Sequence, residues 1–98
     1  MASGTIPFPM YPITFTTGYD LNNPPNSFCF LQVNENTSNT PDQVTGGQKR
    51  GIVISAPYGS GATYGCQIFF SQYNTNAPVF VRAKYSTWRE WKQLAFTS

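Results

Sequence analysis

The segment ATYGCQIFFSQYNTNAPVFVRAKYSTWREWKQLA, residues 62–95, decides the fold. In it Tyr64, Cys66, Ile68 and Phe70 alternate with Gly65, Gln67, Phe69 and Ser71. This is the period-2 signature of a half-buried strand. Tyr73, Asn74, Thr75, Asn76 and Ala77 follow. Asparagine tolerates left-handed backbone angles and bonds its own main chain, so this is turn chemistry. Pro78 has no amide hydrogen and suits the start of a strand rather than its middle. From there a second strand is predicted, with Val79, Val81 and Ala83 on one face and Phe80, Arg82 and Lys84 on the other. The run Trp88-Arg89-Glu90-Trp91-Lys92-Gln93-Leu94 closes the unit.

Upstream, Phe28 and Phe30 alternate with Cys29, Leu31 and Val33. Apolar residues on both sides predict a strand buried on both faces. Ile52 and Ile54 against Val53 and Ser55 predict another strand over residues 51–56, ended by the turn Pro57-Tyr58-Gly59-Ser60-Gly61. Residues 34–50 are polar, with Pro41 and the pair Gly46-Gly47. They form a loop of the length that is functional or mobile in compact domains. Asn22-Asn23-Pro24-Pro25-Asn26 is a further loop, and Asp20 can cap a single helical turn over Asp20 to Asn23 that Pro24 and Pro25 keep from growing longer. Residues 1–17, with Ile6, Phe8, Met10 and Tyr11 among prolines, read as an extended arm, a linker or inter-chain contact, with Ile13 to Thr17 a short strand in it. Residues 18–98 then form one domain. No apolar period of 3.6 runs over ten residues, so the class is all-β: a small antiparallel β-sandwich or partly open barrel of four to six short strands with long loops.

Composition narrows the function. Charged residues make up 10% of the 98-residue chain, against about 25% in ordinary domains. Asn, Gln, Ser and Thr therefore carry the polar surface, which suits hydrogen bonding to a neutral partner such as a sugar. A net charge of +2 is too weak for nucleic-acid binding, which needs clustered cations. No apolar run reaches the length of a membrane span. The two cysteines, Cys29 and Cys66, read as small hydrophobes rather than a disulfide framework.

Histidine is absent, which removes the commonest general base and metal ligand. No cysteine cluster offers a zinc site. No cofactor or catalytic residue is expected. A small glycanase using Asp42 and Glu35 is the one catalytic alternative, since glycoside cleavage needs two carboxylates about 5–9.5 Å apart. In a strand the rings of Trp88 and Trp91 project to opposite faces unless the backbone bends. One is then core, and the other covers Arg82 or a neighbouring chain. Arg82 and Arg89 fit cation–π stacking or carboxylate pairing, with Glu90 a partner. Structural roles fall to Trp88, Trp91, Arg82, Phe28, Phe30, Ile68 and Phe70. For ligand binding the loops are the natural place. Tyr58, Tyr64, Tyr73, Asn74 and Asn76 can stack on and hydrogen-bond a glycan.

The run Gln67-Ile68-Phe69, a polar turn, Val79-Phe80-Val81-Arg82 and Trp88-x-x-Trp91-Lys92-x-Leu94 resembles the knob-like β-domains of contractile-phage tail fibres and pyocin fibres. Gly18-Tyr19-Asp20-Leu21-Asn22 is similar to the opening of those domains. The resemblance spans roughly residues 18–95, and residues 88–94 are its most specific part. A glycine often precedes the first core strand in that family, where this chain has Asn26-Ser27. The resemblance implies a receptor-binding or structural domain of a tail fibre. It implies a homotrimer joined to the rest of the fibre, made in the host cytoplasm. In the virion its exposed loops meet a bacterial surface glycan or lipopolysaccharide, without catalysis, nucleic acid or membrane insertion. The rival reading is a stand-alone carbohydrate-binding module of a secreted enzyme or adhesin.

Overall fold

The computed structural model describes residues 20–60, 63–72 and 78–94. The strands are β1 (Cys29–Val33), β2 (Gly51–Tyr58), β3 (Tyr64–Ser71), β4 (Val79–Tyr85), β5 (Thr87–Trp88) and β6 (Lys92–Gln93). They form one open antiparallel sheet in the order β1-β2-β3-β4, with β4 bordered by both β5 and β6. The expected all-β, antiparallel class with four to six strands is what the chain adopts. Its second layer is made of loops rather than of a second sheet. The arm over residues 1–17 and the turn over residues 73–77 lie outside the described residues.

Register fixes two faces. On the inner face Leu31, Val53, Phe69 and Phe80 lie in one cross-strand row. All four are buried, and the phenylalanine rings stack with centroids 6.0 Å apart. Each such side chain contributes about 1.5–3 kcal/mol by leaving water. The loops close over this row: Leu21 and Val44 join the same core, and Trp91 packs against it. The stretch over residues 34–50 is therefore a lid on the core, fixed by buried Thr37, Pro41 and Val44. Lys49 clips it by donating to the Thr37 carbonyl at 3.0 Å. A short 3-10 turn, Gly46–Gln48, brings the chain back to β2.

Three strand expectations need correction. β1 is buried on one face only: Cys29, Leu31 and Val33 are enclosed, while Phe30 is half-buried and Phe28 is 40% exposed. β2 runs on through Pro57 and Tyr58, which pair with Gly65 and Tyr64. Proline is tolerated there because β1 ends at Cys29, opposite Ser55, and leaves that edge of β2 open. Finally, Ile68 and Phe70 lie on the outward face of β3, whose core contributions are Gln67 and Phe69. The cysteines are free, as expected. They occupy opposite faces: Cys29 is enclosed, whereas Cys66 is exposed and not the buried hydrophobe anticipated.

Gly51 starts β2 with φ +152°, and a Cβ there would sit 2.2 Å from the Phe70 carbonyl oxygen. Only glycine lets β2 approach β3 so closely at that point.

Candidate functional site

Next to the apolar row, the inner face carries a polar one: Ser55, Gln67 and Arg82 pair across β2, β3 and β4. All three are buried, Arg82 with 7% exposure. Buried polar groups persist only when bonded, and here each partner is visible. The Gln67 side-chain amide donates to the Leu21 carbonyl at 3.0 Å and to the Ser55 hydroxyl at 3.2 Å. Arg82 Nε donates to Gln67 Oε1 at 2.9 Å, and Nη2 to the Leu21 carbonyl at 3.1 Å. The row thus ties the loop after Asp20 to the sheet. Asp20 turns that loop by accepting from the Asn22 amide at 2.8 Å, in a hydrogen-bonded turn rather than the single helical turn expected there.

The two tryptophans complete this anchor. The Arg82 guanidinium lies 4.2 Å from the Trp88 ring centroid and 4.6 Å from that of Trp91. Strand alternation predicted opposite faces for these rings. The chain instead bends between β5 and β6, where the Arg89 amide donates to the Ala83 carbonyl at 2.8 Å. Both rings reach the same cation. Their indole N–H groups are also used, Trp88 on the Asn22 carbonyl at 3.0 Å and Trp91 on the Asn39 carbonyl at 2.8 Å. Burial lowers the Arg82 pKa to about 10, partly offset by the charge of Asp20. The side chain stays cationic near neutral pH. Glu90 makes no ion pair with it; the ion pair among the described residues is Arg50–Glu35 at 3.9 Å, at the surface. Arg82, Trp88 and Trp91 thus come together in one cluster.

Beside the cluster lies a polar cleft of about 440 Å3, lined by Asn39, Asp42, Arg89 and Glu90 among others. It brings Asp42 near Glu90, whereas Glu35 stands apart, paired with Arg50. The Asp42/Glu35 pair of a glycanase is thus not assembled at this cleft. Among the described residues no group of three metal-ligating side chains occurs. Among the described residues no helix is long and apolar enough to cross a membrane.

The outward face is the other candidate. Its rows are Gln32–Ile52–Phe70–Val79, Phe30–Ile54–Ile68–Val81, Ala56–Cys66–Ala83 and Tyr58–Tyr64–Tyr85. Of the ligand-binding residues expected from sequence, Tyr58 and Tyr64 are brought together, their ring centroids 6.1 Å apart. Tyr73, Asn74 and Asn76 lie outside the described residues. Tyr85, missed from sequence, completes the group at 5.2 Å from Tyr64. Its position one alternation beyond Ala83 was the signal that marked it. Tyr58 is 73% and Tyr85 64% exposed. The rings border a shallow depression of about 670 Å3.

Compared with known proteins, the chain matches no family model, no curated protein and no solved structure.

Proposed function

We propose that the chain is an attachment domain of the phage tail-fibre type, a non-catalytic module that holds a bacterial surface saccharide. The observation that carries this reading is the tyrosine row at one end of the sheet, Tyr58–Tyr64–Tyr85. Its members are exposed aromatic rings with hydroxyls, set on paired strands rather than on loops. Such rings offer a flat apolar surface to the C–H face of a sugar, and their hydroxyls bond its polar rim. A scaffold of paired strands holds that platform at little entropic cost on binding. A stand-alone module that stacked sugars on tryptophan would need one of those rings free as its platform. Here Trp88 and Trp91 are engaged by Arg82 and by backbone carbonyls, so the fibre reading is preferred. Its expected assembly is a homotrimer within the virion, presented to the extracellular medium.

The test is retention on an array of purified bacterial lipopolysaccharides and capsular polysaccharides. Wild type is expected to bind at least one surface. Tyr58→Ala with Tyr85→Ala should weaken that binding at least about tenfold, the effect of losing roughly 1.4 kcal/mol of stacking, with the circular dichroism spectrum unchanged. Binding that survives both substitutions, or no binding to any surface, would remove the proposal.

A further inference from the structure

The Arg82 guanidinium carries five N–H donors in a fixed fork and no acceptor. Two donors are used, Nε on Gln67 Oε1 and one on Nη2 toward the Leu21 carbonyl. Both hydrogens of Nη1 and the second on Nη2 meet no acceptor among the described residues. No carboxylate pairs with the side chain either, since the ion pair among those residues joins Arg50 to Glu35. Trp88 and Trp91 hold the cation through its charge and give its hydrogens no acceptor atom. Burial works against that charge, lowering the pKa to about 10. A side chain with 7% exposure is thus bonded along one edge of its fork alone, although buried polar groups are ordinarily satisfied. Nη1 is unpaired but not sealed, because the side-chain atom both sealed and unpaired among the described residues is Asn22 Oδ1. It therefore reaches the opening that Arg82 lines, the polar cleft of about 440 Å3.

The walls of that cleft define its ligand. Arg89 lines it as a second cation, exposed and without an ion pair among the described residues. Asp42 and Glu90 line it as anions, so two positive charges face two negative ones. A group with one negative charge fits between the guanidiniums. A phosphate monoester, carrying about −1.5 to −2 at neutral pH, meets the two carboxylates with a larger charge. Guanidinium forks also match planar carboxylates bidentately. Ligand pockets of this volume are mostly walled by apolar side chains. Here Asn39 and Gln43 stand beside the acids and the guanidiniums. Hydroxyls answer such walls, because each donates to a carboxylate or amide oxygen and accepts from an amide or guanidinium. Asn22, whose sealed oxygen lacks a donor, belongs to the same wall. We infer that the cleft is a second ligand site, one that takes a sugar acid: its carboxylate lies on the Nη1 end of Arg82 and on Arg89, and its hydroxyls face Asp42 and Glu90. Arg82 projects to the covered side of the sheet, whereas the tyrosine row lies on the outward side. The site therefore goes beyond the attachment reading and stands without it.

Trp88 and Trp91 are the two tryptophans of the chain, and both line the cleft. Their emission therefore reports on it directly. The full chain is titrated with D-glucuronate and D-galacturonate, each against its uncharged methyl ester, and with inorganic phosphate. At least one hexuronate is expected to change the emission saturably at millimolar concentration. Its ester and phosphate should bind at least about tenfold more weakly, the ester because the charge-assisted bonds go with the charge. Arg89→Gln alters an exposed side chain, so the fold is kept, and it should weaken hexuronate binding at least about tenfold. Arg82→Lys keeps a cation but not the fork, and with an unchanged circular dichroism spectrum it should do the same. No saturable change with either hexuronate overturns the inference. So does an ester or a phosphate that binds as tightly as the hexuronate, and so does full affinity in Arg89→Gln or in folded Arg82→Lys. A response lost in Tyr58→Ala with Tyr85→Ala overturns it too, because the ligand then sits on the outward face. Retention of lipopolysaccharide that depends on those tyrosines bears on the attachment reading alone.

Discussion

Replacing Arg82 by methionine tests the central anchor of the fold. Two hydrogen bonds from a charged donor disappear, to Gln67 Oε1 and the Leu21 carbonyl, each contributing about 1.5–3 kcal/mol. Two cation–π contacts go with them, about 1 kcal/mol each. The gross loss is about 5–8 kcal/mol. Against it stands the cost of holding a cation out of water. The pKa lowered from 12.5 to about 10 places that cost near 3 kcal/mol, at about 1.4 kcal/mol per unit. The net destabilisation is therefore about 2–5 kcal/mol. In a domain of this size 1 kcal/mol moves the midpoint by roughly 4–8 °C, so a fall of at least about 8 °C is expected. Thermal melting followed by circular dichroism gives the midpoint, and tryptophan emission reports whether the rings have lost their cation. A loss below about 1 kcal/mol with unchanged emission would refute the account of Arg82 as the tie between loop layer and sheet.

Gly51→Ala should cost about 3 kcal/mol or more, because its Cβ would meet the Phe70 carbonyl oxygen at 2.2 Å and backbone cannot yield as a side chain does; urea melts will show it. Ser86 turns β4 into β5 with φ +68°, a conformation that costs a residue with a Cβ about 1 kcal/mol, so Ser86→Gly is expected to leave stability unchanged or raise it slightly in the same assay. Burial raises the Cys29 thiol above its ordinary value of 9.0. The folded state then binds the proton more tightly than the unfolded one, so stability should fall as pH rises above about 9; melts of Cys29→Ala should show a shallower alkaline decline.

The four long strands were legible because alternation is a local property: Tyr64 to Ser71 and Val79 to Lys84 declare their period without reference to any partner. Which side faces inward was not. β3 offers Ile68 and Phe70 on one side and Gln67, Phe69 and Ser71 on the other, and hydrophobicity alone turns the first set inward. The fold does the opposite, because Gln67, Ser55 and Arg82 satisfy one another and the Leu21 carbonyl. A hydrogen-bonded set closed across sequence separations as long as 61 residues leaves no signature in a local pattern. The same holds for the bend that turns Trp88 and Trp91 onto one cation. The tyrosine group was half legible, since Tyr58 and Tyr64 flank an obvious turn, whereas Tyr85 joins them only through the β3–β4 register.

The lid over residues 34–50 gives the molecule an unusual division of labour. A protein that must keep pace with a changing target would alter its longest loop first. In this chain that loop also seals the interior, through Thr37, Pro41 and Val44. Substitution is cheap only at outward positions between those pegs, such as Asp42 and Gln43. Diversification by insertion would prise the pegs apart and let water into the row from Leu31 to Phe80. Libraries built on this scaffold should therefore randomise single positions within the lid and keep its length constant.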